Sequence, residues 1–235
     1  LHSDGFLVCR GSDRVLNRGM LSWRDLLLYP IGHAAAIRRV CESAWSLWIG
    51  ALLVGSAVIA RNYDNVAILH HPERIMAPYA FSLLSSLWIF AVIYRANRLH
   101  RVKSGPPYHV QNRSFLGAVW MTAPIAWLYA IPVERWMDPV AAAKANVGLL
   151  VVVSLWRVAL ISRVASVMTG ASLFASTVFV TAASSFEFLI AGVISVFTNA
   201  GRGIATSMAG IHVSSTPAGR AAEGLVESLA PILFI

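Results

Sequence analysis

Charge is what this chain has least of. Aspartate and glutamate number 11 in 235 residues, and charged residues of both signs make up 13%. An ordinary soluble domain carries roughly 25%. So few charges, with 57% hydrophobic residues gathered into long runs, point away from a water-soluble globule and toward one membrane domain. Cysteine is nearly missing too. Cys9 and Cys41 are the only two, too few for a disulfide framework or a metal cluster. Both fall in the stretch assigned below to the cytoplasmic side, so both are expected as reduced thiols. No basic start followed by a short apolar core and a small-residue cleavage site is visible, so no signal peptide is expected. His-Glu-x-x-His, Gly-x-Ser-x-Gly and a phosphate-binding Gly-Lys-Ser/Thr are all absent. No enzymatic activity and no cofactor are therefore expected.

What is present is a pattern of apolar runs and charged links. Run 114–131 and run 146–162 flank Pro132-Val-Glu-Arg-Trp-Met-Asp-Pro139. Each run is long enough for ~30 Å of hydrocarbon at ~1.5 Å per residue. The link carries Glu134, Arg135 and Asp138, with Lys144 just beyond, so it cannot lie in lipid. Runs 44–60 and 78–94 flank a second such link, Pro72-Glu-Arg-Ile-Met-Ala-Pro78. The links share Glu-Arg-x-Met-x-Pro at 73–78 and 134–139. The expected fold is all-α, a polytopic transmembrane helix bundle of about five spans: two similar hairpins plus a long fifth helix. Residues 1–43 form a cytoplasmic arm with an interfacial helix, 44–198 the transmembrane domain, and 199–235 a tail.

The net charge of +8 sits mostly in arginines flanking apolar runs. That distribution suits topology and anionic lipid headgroups, and no nucleic-acid partner is expected. Six arginines precede Ser43, and five Lys/Arg with no acid fill 95–113. The positive-inside rule places both stretches in the cytoplasm and both Glu-Arg links outside. Pro78 is expected to open the second span. Pro124 should kink the third, with Thr122 or a neighbouring helix satisfying a freed carbonyl. Residues 165–197 carry one charge, Glu187. One helix that long would reach ~50 Å. A break at Ser184-Ser185 is the alternative, but no Gly or Pro stands there, and a single span is preferred.

Glu187 and Arg157 are the intramembrane charge candidates. A carboxylate in hydrocarbon costs a few kcal/mol and must be protonated, paired or wet. Glu187 is thus either a proton or cation site or a structural partner for Arg157. Arg157 lies six residues before Arg163, ~9 Å along a helix, and simple snorkelling to the headgroups is the preferred reading of it. The repeated links give Glu73, Arg74, Met76, Glu134, Arg135 and Met137. They read as a helix-entry device or as a paired docking edge for a partner outside. His70 and His71 are adjacent, face different ways and have no third ligand at metal spacing, so no metal is expected. Ser166, Ser172 and Ser176 line up with Ala171 and Ala175, a pattern of close helix packing rather than of a nucleophile.

Ser22-Trp-Arg-Asp25 has the form of a capped helix start. The turn after it, Leu26-Leu-Leu-Tyr-Pro30, either lies on the membrane or packs on the chain's own body. With the amphipathic 34–43 and about five spans behind a cytoplasmic N-terminus, residues 22–198 resemble bacterial relatives of the Yip1 family. The resemblance implies a non-enzymatic membrane protein acting through protein or lipid contacts, and it assigns no site residues. The expected function is a scaffold or accessory subunit of a larger membrane complex in the bacterial inner membrane. Its expected partners are membrane lipids, including anionic headgroups, and other membrane subunits or copies of itself. A small transporter or channel component with Glu187 and Arg157 in its path is the alternative.

Overall fold

A computed structural model of the protein describes residues 21–60, 72–100 and 107–198. These residues are helical throughout, with no strand among them. The calls on Cys9, His70, His71 and the tail 199–235 lie outside them.

Helix α1 (Trp23–Leu28) begins as its sequence predicts. The Ser22 hydroxyl accepts from the Arg24 N–H at 3.3 Å, and the Asp25 carboxylate accepts from the Ser22 N–H at 3.3 Å. Asp25 is buried, and its other oxygen accepts from Arg39 Nε at 2.7 Å. That bond ties α1 to α2 (Ala34–Glu42). Replacing Asp25 with alanine removes both the cap and the pair. A loss of about 1–2 kcal/mol is expected, readable as a lower unfolding midpoint in detergent. Tyr29 is fully buried in the common core, while Trp23, Leu27 and Ile31 point outward.

Helix α2 buries Ile37, Val40 and Cys41 and exposes Arg38, Arg39 and Glu42. It does not run straight into the first apolar run. The chain bends by 106° between α2 and α3 (Ser46–Ala60), so α2 lies across the end of the bundle. Extended Ser43 makes the corner; its carbonyl accepts from Ser46 Oγ at 2.9 Å.

Helix α4 (Pro72–His100) starts six residues before Pro78. Pro72, not Pro78, takes the first-turn position where a missing N–H costs nothing, and Glu73, Arg74 and Met76 belong to the helix. The second link behaves differently. Val133–Arg135 is one 3-10 turn, and α6 (Pro139–Thr169) opens on the motif's own proline. The two motif copies therefore do not take the same structure. The first hairpin is not a packed unit of its own, whereas the arms of the second do pack on each other. Helix α3 lies chiefly against α5 (Tyr108–Trp120) and the segment after it, and α4 chiefly against the last helix and α5.

The third apolar run is broken. Helix α5 stops at Trp120, and Ala123–Ala130 continues as a 3-10 helix. Pro124 has no N–H to give the Trp120 carbonyl. The Thr122 N–H and hydroxyl both turn to the Val119 carbonyl, at 3.0 and 2.7 Å. The neighbouring Ala118 carbonyl accepts from the Tyr29 hydroxyl at 2.5 Å. Thr122 and Tyr29 thus serve the carbonyls of Val119 and Ala118, just before the one that Pro124 frees.

The long run after 165 divides at Gly170, whose φ of +67° is a left-handed value that suits glycine. Residues 165–169 finish α6, and Ser172 caps α7 (Leu173–Thr198), accepting from the Ala175 N–H at 3.2 Å. Helix α7 passes unbroken through Ser184-Ser185, so one helix is right there, although it starts eight residues late. Ser166 and Ser176 are buried beside the turn, and Ser166 Oγ donates to the Ala171 carbonyl at 2.8 Å.

Two described helices, α4 and α6, contain stretches long and apolar enough to cross a membrane, Tyr79–Ala96 and Lys144–Thr169. The bent pair α2–α3 would make three. This is fewer than the five expected. The α3 helix has 15 residues, ~22 Å, and the third run loses its α-helix at Pro124.

Candidate functional site

The polar centre of the bundle is Glu187, where α4, α6 and α7 meet. Its Oε2 accepts from Ser85 Oγ of α4 at 2.8 Å. Its Oε1 is buried with no hydrogen-bond partner. Arg157 of α6 stands close enough to act on it electrostatically, and the Arg157 Nε is itself buried. One turn back along α7, Trp88 Nε1 donates to the Ala183 carbonyl at 3.2 Å, and the Trp88 ring stacks on Phe186 at 5.2 Å between centroids. These contacts fix the register of α4 against α7.

The depth of the site follows from helix spacing. Lys144 and Arg163 are 19 residues apart on α6, ~28 Å and so close to a hydrocarbon thickness. Arg157 lies ~9 Å inside the Arg163 level, and Glu187 shares its level. Both side chains are half-buried, and Arg157 acts on Glu187 electrostatically.

The link residues form no comparable centre. Met76 is exposed early in α4, and Arg135 and Met137 are exposed before α6. The side chains of Glu73, Arg74 and Glu134 lie outside the described set.

Two features escaped the sequence. Ser85 is one serine among many until α7 places Glu187 on it. Tyr29 is fully buried, 89 residues from the carbonyl it bonds. Burial, and secondarily the nearby Cys41, hold its phenol well above its ordinary pKa. It therefore remains a neutral donor.

These residues define a class: an all-helical bundle with two or three helices able to cross a membrane and an internal acid held by a serine hydroxyl within electrostatic reach of an arginine. No protein-family model, no curated protein and no solved structure matches the chain.

Proposed function

We propose that the protein is a non-enzymatic integral membrane protein, a scaffold or accessory subunit of a larger membrane complex. One observation carries this reading. The intramembrane acid is tied to Ser85 and faces Arg157 inside the chain's own bundle, while large apolar side chains face outward. Phe81, Leu84, Leu189 and Ile190 are all exposed on α4 and α7, a surface for lipid or for other subunits. In this reading α3, α4, α5 with its 3-10 continuation, α6 and α7 make five crossings. The arginine-rich end and the N-terminus face the cytoplasm across a bacterial inner membrane. The likeness to the Yip1 family fits the same picture.

Purification from native membranes in mild detergent tests it, with every bound protein identified. Stable co-purifying membrane subunits are expected, and a lone monomer would overturn the proposal.

The second reading, a small transporter or channel component, is favoured by the unpartnered Glu187 Oε1. Glu187→Gln separates the two. The amide keeps an acceptor for Ser85 but removes the Glu187 charge that acts on Arg157. The scaffold reading expects normal insertion, retained partners and a stability loss of about 1–3 kcal/mol. Abolished ion flux with intact insertion and intact assembly would favour the transporter instead.

A further inference from the structure

The outward face of α1 does not belong to the site just described. Trp23 is 65% exposed, Leu27 62% and Ile31 76%, with Leu26 beside them. A helix of 6 residues that shows this much apolar surface to water would be costly at ~25 cal/mol per Å². The ridge is also rigidly held. Asp25 and Tyr29, on the opposite face, are anchored to Arg39 and to the Ala118 carbonyl. The elbow after α1 is pinned to α6. Trp156 Nε1 donates to the Pro30 carbonyl at 2.9 Å, and Arg163 Nε to the Gly32 carbonyl at 3.4 Å.

That pinning sets the level of the ridge. The elbow meets α6 between Trp156 and Arg163, in the later half of the Lys144–Thr169 apolar stretch. The 106° bend lays α2 across the bundle axis at the same end. The charge there is net positive. Arg24 and Arg38 are exposed, and Arg24 lies 5.5 Å over the Trp23 ring. Asp25 is already engaged by Arg39, which leaves Glu42 as the exposed acid of α1 and α2.

We propose that the Trp23–Leu26–Leu27–Ile31 ridge is an interfacial anchor, seated at the headgroup–acyl boundary of the protein's own membrane, with Arg24 and Arg38 engaging anionic phospholipid headgroups. Indole and leucine side chains suit that boundary. Guanidinium groups pair with phosphate bidentately. A basic residue at an anionic surface contributes about a five-fold preference for it. The inference rests on the membrane reading above and adds the position, occupant and lipid preference of α1.

The test uses the full chain in nanodiscs of phosphatidylcholine, with or without phosphatidylglycerol. Spin labels are placed singly at Leu27→Cys and at Arg38→Cys, with Cys9 and Cys41 changed to serine. Collision with oxygen and with a water-soluble nickel complex reports depth. The label at 27 is expected in the oxygen-rich boundary and the label at 38 in the aqueous, nickel-rich layer. Anionic lipid should enrich around the protein, and Arg24→Gln with Arg38→Gln should lower that enrichment by about five-fold for each arginine removed. A label at 27 as open to nickel as the label at 38 would overturn the anchor. So would a label at 27 shielded from both reagents, which marks cover by protein. Enrichment unchanged in the double variant would overturn the headgroup contacts. Resistance of the wild-type chain to alkaline carbonate extraction is scored separately. Failure there sinks the membrane reading itself, whereas failure of the labels alone leaves that reading standing.

Discussion

Gly50→Val should drive α3 away from α5 and cost about 3 kcal/mol or more, measured as loss of the folded fraction on titration with a denaturing detergent. A Cβ at Gly50 would stand 2.8 Å from the Trp120 Cβ and 3.2 Å from the Gly117 carbonyl. Neither atom can swing aside, since one is fixed to the backbone and the other belongs to it. From the other side, a Cβ at Gly117 would meet the Ser46 hydroxyl at 2.7 Å and the Leu47 nitrogen at 3.2 Å. The two glycines therefore let one pair of helix backbones meet, as small residues do between membrane helices. Gly148 is the internal control, because nothing stands within 4 Å of a Cβ there. Gly148→Ala should be neutral or gain up to about 1 kcal/mol from helix propensity. Equal losses at positions 50 and 148 would mean that glycine's backbone freedom, not the close approach, is what matters.

Tyr29→Ala should be comparably damaging, at about 3–5 kcal/mol, because it empties a fully buried aromatic site. The phenylalanine variant separates volume from bonding. Tyr29→Phe keeps the ring and leaves the Ala118 carbonyl unpartnered, for a loss of about 1–3 kcal/mol. Thermal unfolding of both variants in one detergent checks the order. A Phe variant as damaging as the Ala variant would mean that the hydroxyl dominates. A neutral Phe variant would mean that the break after Trp120 needs no cap from α1.

Much of the local architecture was legible in the residues. Ser22 and Asp25 announced the start of α1 because a capping box is a four-residue device. Pro124 announced a fault in the third run because its missing N–H acts within one turn. The second apolar run and the fourth lie inside α4 and α6 because uninterrupted apolar stretches have no better local choice than helix. The misreadings had local causes too. Pro78 looked like a helix opener only because Pro72 was assigned to the link. The start at 165 ignored Gly170, whose left-handed turn ends α6 and frees α7. The matching Glu-Arg-x-Met-x-Pro motifs suggested matching hairpins, but a six-residue likeness does not decide whether its proline stands inside a helix or at its first position.

The candidate site was half legible. Glu187 and Arg157 stood out because charge within a long apolar run is costly wherever it falls. Ser85 and Tyr29 did not stand out, since their roles arise from partners distant in the chain.

By itself the sequence determined the helical character, the apolar runs, the clustering of arginine at their ends and the presence of one acid and one arginine inside those long apolar runs. Those properties follow from short-range chemistry: backbone satisfaction, side-chain transfer and capping. Only the tertiary structure decided that α3 lies chiefly against α5 and less against its chain neighbour α4, that α1 and α2 fold across the bundle end, and that Glu187 reaches Ser85. These depend on which surfaces fit at van der Waals distance, a question that Gly50 and Trp120 answer jointly and neither answers alone.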